Sequence, residues 1–109
     1  MTQETITVSK WLNEWLVTYI QPCKKENTYQ CYKYIIIMLC KIRPELATVS
    51  ITEVEEVYFQ KILNEAAKKY SKSTITKMRI VLKGAYDRAV HNHLCDSNPA
   101  LDLNVPDAT

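Results

Sequence analysis

The sequence predicts an all-α fold, an orthogonal bundle of four helices with a short fifth helix at its C-terminal end. Three observations predict it. First, the 109 residues include one glycine, Gly84, and four prolines. A sandwich or barrel would need turn residues roughly every 8–12 positions. Second, four stretches carry apolar residues at helical spacing. Third, each stretch is preceded by a side chain able to cap a helix and followed by a proline or a polar connection. Apolar content is 47% and charged content 24%, ordinary for a globular chain. The length suffices for one domain with its own core.

Thr7 is placed to cap the first helix. Trp11, Leu12, Trp15, Leu16 and Tyr19 follow on one stripe, and Pro22 ends the element. Two tryptophans on a core stripe read as anchors rather than as stacking platforms. Lys24 and Lys25 fill the connection. Asn27 then caps a second helix to about Ile42, with Cys31, Tyr32, Ile35, Met38, Leu39 and Ile42 on one face. Ile36 and Ile37 widen that face, so this helix is expected to have neighbours on more than one side. Pro44 closes it.

Thr52 and Glu55 have the spacing of a capping box, in which hydroxyl and carboxylate each serve an amide of the first turn. The third helix is expected to run to about Lys69, burying Tyr58, Ile62 and Ala66 with Phe59 and Leu63 beside them. Ser71 to Ser73 is a short loop, and Ser73 caps the fourth helix. There Ile75, Met78, Leu82, Ala85, Tyr86 and Ala89 share a face at about 100° per residue. Arg79 and Lys83 follow one edge of it, Lys77 and Arg88 the other. Ile80 lies opposite the core stripe. Asn98-Pro99 interrupts the backbone, and Pro99 suits the first turn of the short terminal helix.

The net charge is only +2, but it is unevenly distributed. Between Thr52 and Glu65, four glutamates face one lysine. Between Ala66 and His91, seven cations face Asp87 alone. An acidic helix beside a basic one gives the molecule a cationic side. The cysteines at 23, 31, 40 and 95 form no C-x-x-C pair, and His91 and His93 lack zinc-finger spacing from them. They read as reduced, mostly core-filling thiols of a cytoplasmic protein, with no metal and no cofactor expected. There is no signal peptide, and the longest apolar run, Tyr34 to Cys40, is too short to span a membrane.

The run S-T-x-x-x-x-x-x-x-L-K-x-A-Y-x-x-A-V from Ser73, followed by N-P-A at Asn98, resembles the end of the core-binding domain of phage-integrase-type tyrosine recombinases. T-V-S-K-W-L-N-E-W-L at Thr7, N-T-Y-Q-C-Y-K-Y-I-I at Asn27 and I-T-E-V at Ile51 resemble the starts of that domain's earlier helices. The likeness lies in the order and spacing of these segments, from Thr7 to Leu103. It implies a SAM-like fold over 7–103, a flexible segment over 1–6, and over 104–109 the start of a linker to a C-terminal catalytic domain.

The family cuts DNA with a tyrosine nucleophile and a histidine-x-x-arginine signature in that other domain. Neither His91 nor His93 fits the signature, so no catalytic residue is assigned. What the resemblance implies here is DNA clamping: this domain on one side of the recombination core site, the catalytic domain on the other, with neighbouring protomers in contact. By matching position, the candidates are Thr28, Tyr29 and Lys33 on the second helix. On and before the fourth they are Lys72, Ser73, Thr74, Lys77, Arg79 and Lys83. Free amides and hydroxyls at a helix start suit a phosphate, and lysine and arginine neutralise phosphates. The competing reading is a helical protein–protein module. A free-standing helix-turn-helix regulator fits poorly, because the spacing from Thr52 to Ser73 is too long for a tight turn into a recognition helix.

Overall fold

The computed structural model describes residues 6–106. Of the two expected terminal segments, only Ile6 and 104–106 fall within that range. The elements are α1 (Val8–Trp15), prolonged by a π-helical turn (Leu16–Ile20), then α2 (Glu26–Ile42), a 3₁₀ turn (Pro44–Ala47), α3 (Glu56–Ala66) and α4 (Lys72–His91). The expected four-helix bundle is what forms. The short terminal helix is replaced by a hydrogen-bonded turn over 99–102, in which Leu101 N donates to Asn98 O.

Thr7 caps α1 as expected, its Oγ1 accepting from Lys10 N at 3.3 Å. The same end is pinned across the molecule. Val8 N donates to Val49 O at 2.9 Å, and Ile51 N to Ile6 O at 3.0 Å. Trp11, Leu12, Trp15 and Leu16 are buried. After Trp15 the helix widens, and Gln21 N donates five residues back to Leu16 O. A wider turn carries an extra residue. It brings Ile20 into the core and leaves Tyr19, expected on the stripe, half-buried at the edge.

Three helix starts differ from the expected ones. In α2 the extended residue at the cap is Lys25, not Asn27, and Glu26 occupies the first turn. In α4 the cap is Ser71, not Ser73, with Ser71 Oγ accepting from Thr74 N at 3.3 Å. The capping box at Thr52 and Glu55 does not form. The reciprocal bonds close two residues earlier, where Glu53 Oε1 accepts from Ser50 N and Ser50 Oγ from Thr52 N. That closes a turn, so α3 starts only at Glu56, and it ends at Ala66 rather than Lys69.

α4 is the hub and touches each of the other helices. Its seven core residues are the six expected plus Val81. Two buried hydrogen bonds fix its neighbours. Trp11 Nε1 donates to Ala85 O at 2.8 Å, and Tyr86 OH to Ile51 O at 3.1 Å. Phe59 packs edge-on against Tyr86, with ring centroids 5.4 Å apart. Burial, with smaller contributions from Cys95 and Tyr58, raises the Tyr86 phenol well above the ordinary tyrosine range. α3 buries Phe59, Ile62, Leu63 and Ala66, while Tyr58 is only half-buried.

Beyond α4 the chain is tied down. His93 adopts φ 62°, Leu94 N donates to Ala89 O, and His93 N to Val90 O. This is a Schellman stop with histidine in the left-handed position that glycine usually takes. Asn98 Nδ2 donates to Lys83 O (3.1 Å) and Asp87 Oδ1 (2.8 Å), while its Oδ1 accepts from Ala100 N (2.8 Å). Ala100 and Leu103 are buried. Gln60 then pairs with the backbone of Asn104 through two 2.9 Å bonds. All four cysteines are free, with Cys23 exposed and the others half-buried.

Candidate nucleic-acid interface

The nine candidate residues do not form one patch. Eight fall on three separately built surfaces, and Lys77 stands apart from them on another edge of α4.

The first is the start of α4. With Ser71 as cap, Lys72, Ser73 and Thr74 are its first three helical residues. Thr74 N is already bonded to Ser71 Oγ, and the two hydroxyls lie 3.2 Å apart. Lys72 and Ser73 are exposed, and no acidic residue lies in this turn. A lysine here adds to the positive end of the helix macrodipole instead of offsetting it. The local potential therefore favours an anion.

The second surface is the Arg79–Lys83 edge of α4. Lys83 and Arg79 are half-buried, and Arg79 Nε is buried without a hydrogen-bond partner. They line a shallow depression of about 310 Å³ with Ile80, Gly84 and Asp87. The exit strap runs along this edge, because Asn98 bonds Lys83 O and holds Asp87. Ile80 is 44% exposed, as its place opposite the core implies.

Lys77 lies on the opposite edge. Farther along that edge, Arg88 lies over the Tyr19 ring, 4.5 Å from its centroid, and Gly84, between the two edges, accommodates Trp15. Arg88 was expected only as a cationic edge; here it packs on the π-helical turn that prolongs α1. Asn92 Nδ2 donates to the same tyrosine's hydroxyl at 3.0 Å. No spacing signal in the sequence links residues 19, 88 and 92. None of Lys77, Arg79 and Lys83 forms an ion pair with a described residue. The ion pairs among the described residues are those of Arg43 with Glu45 and Glu65.

The third surface is on α2. Lys33 is exposed and Thr28 half-buried. Tyr29, expected off the core stripe, packs against the core. It shares an edge with Cys40, whose thiol reaches Ser9 Oγ of α1 at 3.6 Å. With the cap at Lys25, Thr28 is the third helical residue and its amide donates to Lys25 O. Glu26 precedes it in the turn and hydrogen-bonds Gln30. A carboxylate there already complements the helix end, so this start is less suited to a phosphate than that of α4. No sequence signal singles out Tyr34, the most exposed of the large apolar side chains at 66%. It lies on the outward face of α2 with Ile37.

Among the described residues no cluster of three or more metal-ligating side chains occurs. Among them, no helix is long and apolar enough to cross a membrane.

The family model for the phage integrase N-terminal SAM-like domain matches residues 7–67. Three solved structures share the fold. The N-terminal domain of a Lactococcus lactis prophage integrase superposes with a TM-score of 0.82 at 16% identity, over 94% of this chain and 98% of that one. A fragment from Clostridium leptum gives 0.75 at 22% identity, over 95% and 92%. The phage integrase SAM-like domain of a Moorella thermoacetica protein gives 0.71 at 22%, over 100% and 93%. At these identities the structural likeness speaks for the fold. No curated protein matches the chain.

Proposed function

The chain belongs to the family of phage integrase N-terminal SAM-like domains, and from that membership we propose that it is the non-catalytic DNA-binding domain of a site-specific tyrosine recombinase. It lies against one side of the recombination core site, and a C-terminal catalytic domain closes on the other side. It acts where the DNA is, in the cytoplasm of a bacterium or phage host.

The observation that carries this reading is α4. Its first turn is cationic and free of acid, and three further cations, Lys77, Arg79 and Lys83, have no carboxylate partner among the described residues. Such groups bind phosphates by releasing counterions. The α4 start and the Arg79–Lys83 edge supply most of the contact, and Lys33 extends it onto α2. Tyr29 and Thr28 act by shaping α2.

The test is a titration of double-stranded DNA at two salt concentrations, with the wild-type chain beside Lys77→Ala/Arg79→Ala/Lys83→Ala. Wild-type binding weakens steeply with salt. The variant binds more weakly, and its salt slope is shallower by roughly one unit for each phosphate it no longer neutralises. Identical curves for the two proteins, or no binding at low salt, would refute the assignment of α4. The second reading, a helical protein–protein module, is favoured only by exposed Tyr34 and Ile37, and it requires no salt-dependent DNA affinity.

A further inference from the structure

We propose that the groove between the start of α3 and the segment after α4 receives the Lys68–Lys69 turn of a second copy of this chain. The groove has a volume of about 520 Å³. Ile51, Val54 and Leu94 give it an apolar lining, and Glu55, Glu56 and Asp96 give it a negative charge. His93 is the one basic side chain in the lining. Leu94 is 38% exposed although it follows the Schellman stop, so it offers apolar surface to an incoming chain.

None of the three carboxylates forms an ion pair with a described residue. Complementarity to the helix dipole accounts for Glu56 in the first turn of α3. It does not account for Asp96 in the segment after α4, or for the exposure of Leu94, whereas Ile51 and Val54 belong to the bundle's own core. A partner that fills this groove brings positive charge on a compact turn.

The chain itself carries that shape at the other end of the same helix. After α3, Lys68 N donates to Glu65 O, Lys69 N to Ala66 O and Tyr70 N to Ala66 O. These bonds form a turn that presents exposed Lys68 and Lys69, neither of which is ion-paired to a described residue. Eleven helical residues separate groove from turn, about 16 Å of rise. One molecule therefore cannot place this turn in its own groove, whereas a second copy can. Neither lysine is among the DNA candidates, so this contact stands independently of the DNA reading. The contact is small and weak, set by charge complementarity rather than by area.

The experiment is a dilution series of the labelled chain, about 1 mM to about 0.05 mM to span weak association, followed by amide shifts in NMR at low and high salt. Expected are concentration-dependent shifts confined to 51–56, 93–99 and 67–70, abolished at high salt. Glu55→Lys/Glu56→Lys and Lys68→Glu/Lys69→Glu each weaken self-association by roughly ten-fold or more. Mixing the two variants restores it, because the charges are complementary again. All four substituted side chains are exposed, and unchanged spectra away from these segments verify the fold. Shifts that ignore dilution, shifts centred on Tyr34 and Ile37, or a mixture no better than either variant alone would each overturn the proposal.

Discussion

Gly84 faces the indole of Trp15: a β-carbon built at position 84 would stand 3.1 Å from Trp15 Cζ2. Trp15 is buried and stacked on Tyr32, with centroids 6.0 Å apart, so it has little room to retreat. Alanine would gain about 1 kcal/mol of helix propensity at this position, but crowding a packed core costs typically 1–3 kcal/mol. Gly84→Ala is therefore expected to lower stability by about 1 kcal/mol, measured as a fall in the denaturation midpoint. A rise would show that the indole can shift.

Tyr86 makes the fold sensitive to alkali. Its phenol is raised by burial in the folded state and titrates near 10 when unfolded. Its contribution is thus fully present below about pH 10, where both states hold the proton. It declines as pH rises further, because the unfolded chain alone releases that proton. Tyr86→Phe should cost about 1 kcal/mol at neutral pH by removing the hydrogen bond to Ile51 O. It should also flatten the loss of stability above about pH 10, as followed by denaturant titration at several pH values.

The α4 stop contains a correctable strain. His93 holds φ 62°, a left-handed conformation costing roughly 1–2 kcal/mol for a residue with a β-carbon. His93→Gly is expected to stabilise the domain by about 1 kcal/mol, once the greater freedom of glycine in the unfolded chain is subtracted. Thermal unfolding would read this directly.

Gln60 holds the exit strap through two bonds to Asn104. Gln60→Ala should speed hydrogen exchange at the Asn104 amide while leaving the core amides protected. The global cost is under about 1 kcal/mol, since Gln60 lies at the surface and water replaces the missing partner.

The core of α4 was legible from spacing alone, because a long helix against a single interior repeats its apolar residues with the period of the helix. Helix starts were less legible. Ser71, Ser73 and Thr74 are all competent caps, and local chemistry does not choose between them. At α4 the cap that forms is Ser71 to Thr74, and ahead of α3 the short-range bonds of Ser50 and Glu53 close a turn in place of the box that Thr52 and Glu55 suggested. The candidate cations were readable as residue types. Their division into separate surfaces was not, because it depends on the exit strap at Lys83 and on Arg88 lying over Tyr19. The displacement of Tyr19 by Ile20 was invisible, since it needs a five-residue step that no regular period contains.

That step matters when sequences in this family are compared. A π turn holds one residue more than the α-helical turn it replaces, so everything after Trp15 is rotated by about 100° relative to an uninterrupted helix. A relative with a plain helix here would be one residue shorter between the tryptophan stripe and Pro22. Ungapped, the two sequences would pair Ile20 with a surface position. Placing a single-residue gap within 16–20 aligns the buried positions again, and at 16–22% identity such a slip is enough to hide a true correspondence. Deleting one residue within the turn would be the matching change in the protein, drawing Pro22 and the start of α2 around the bundle.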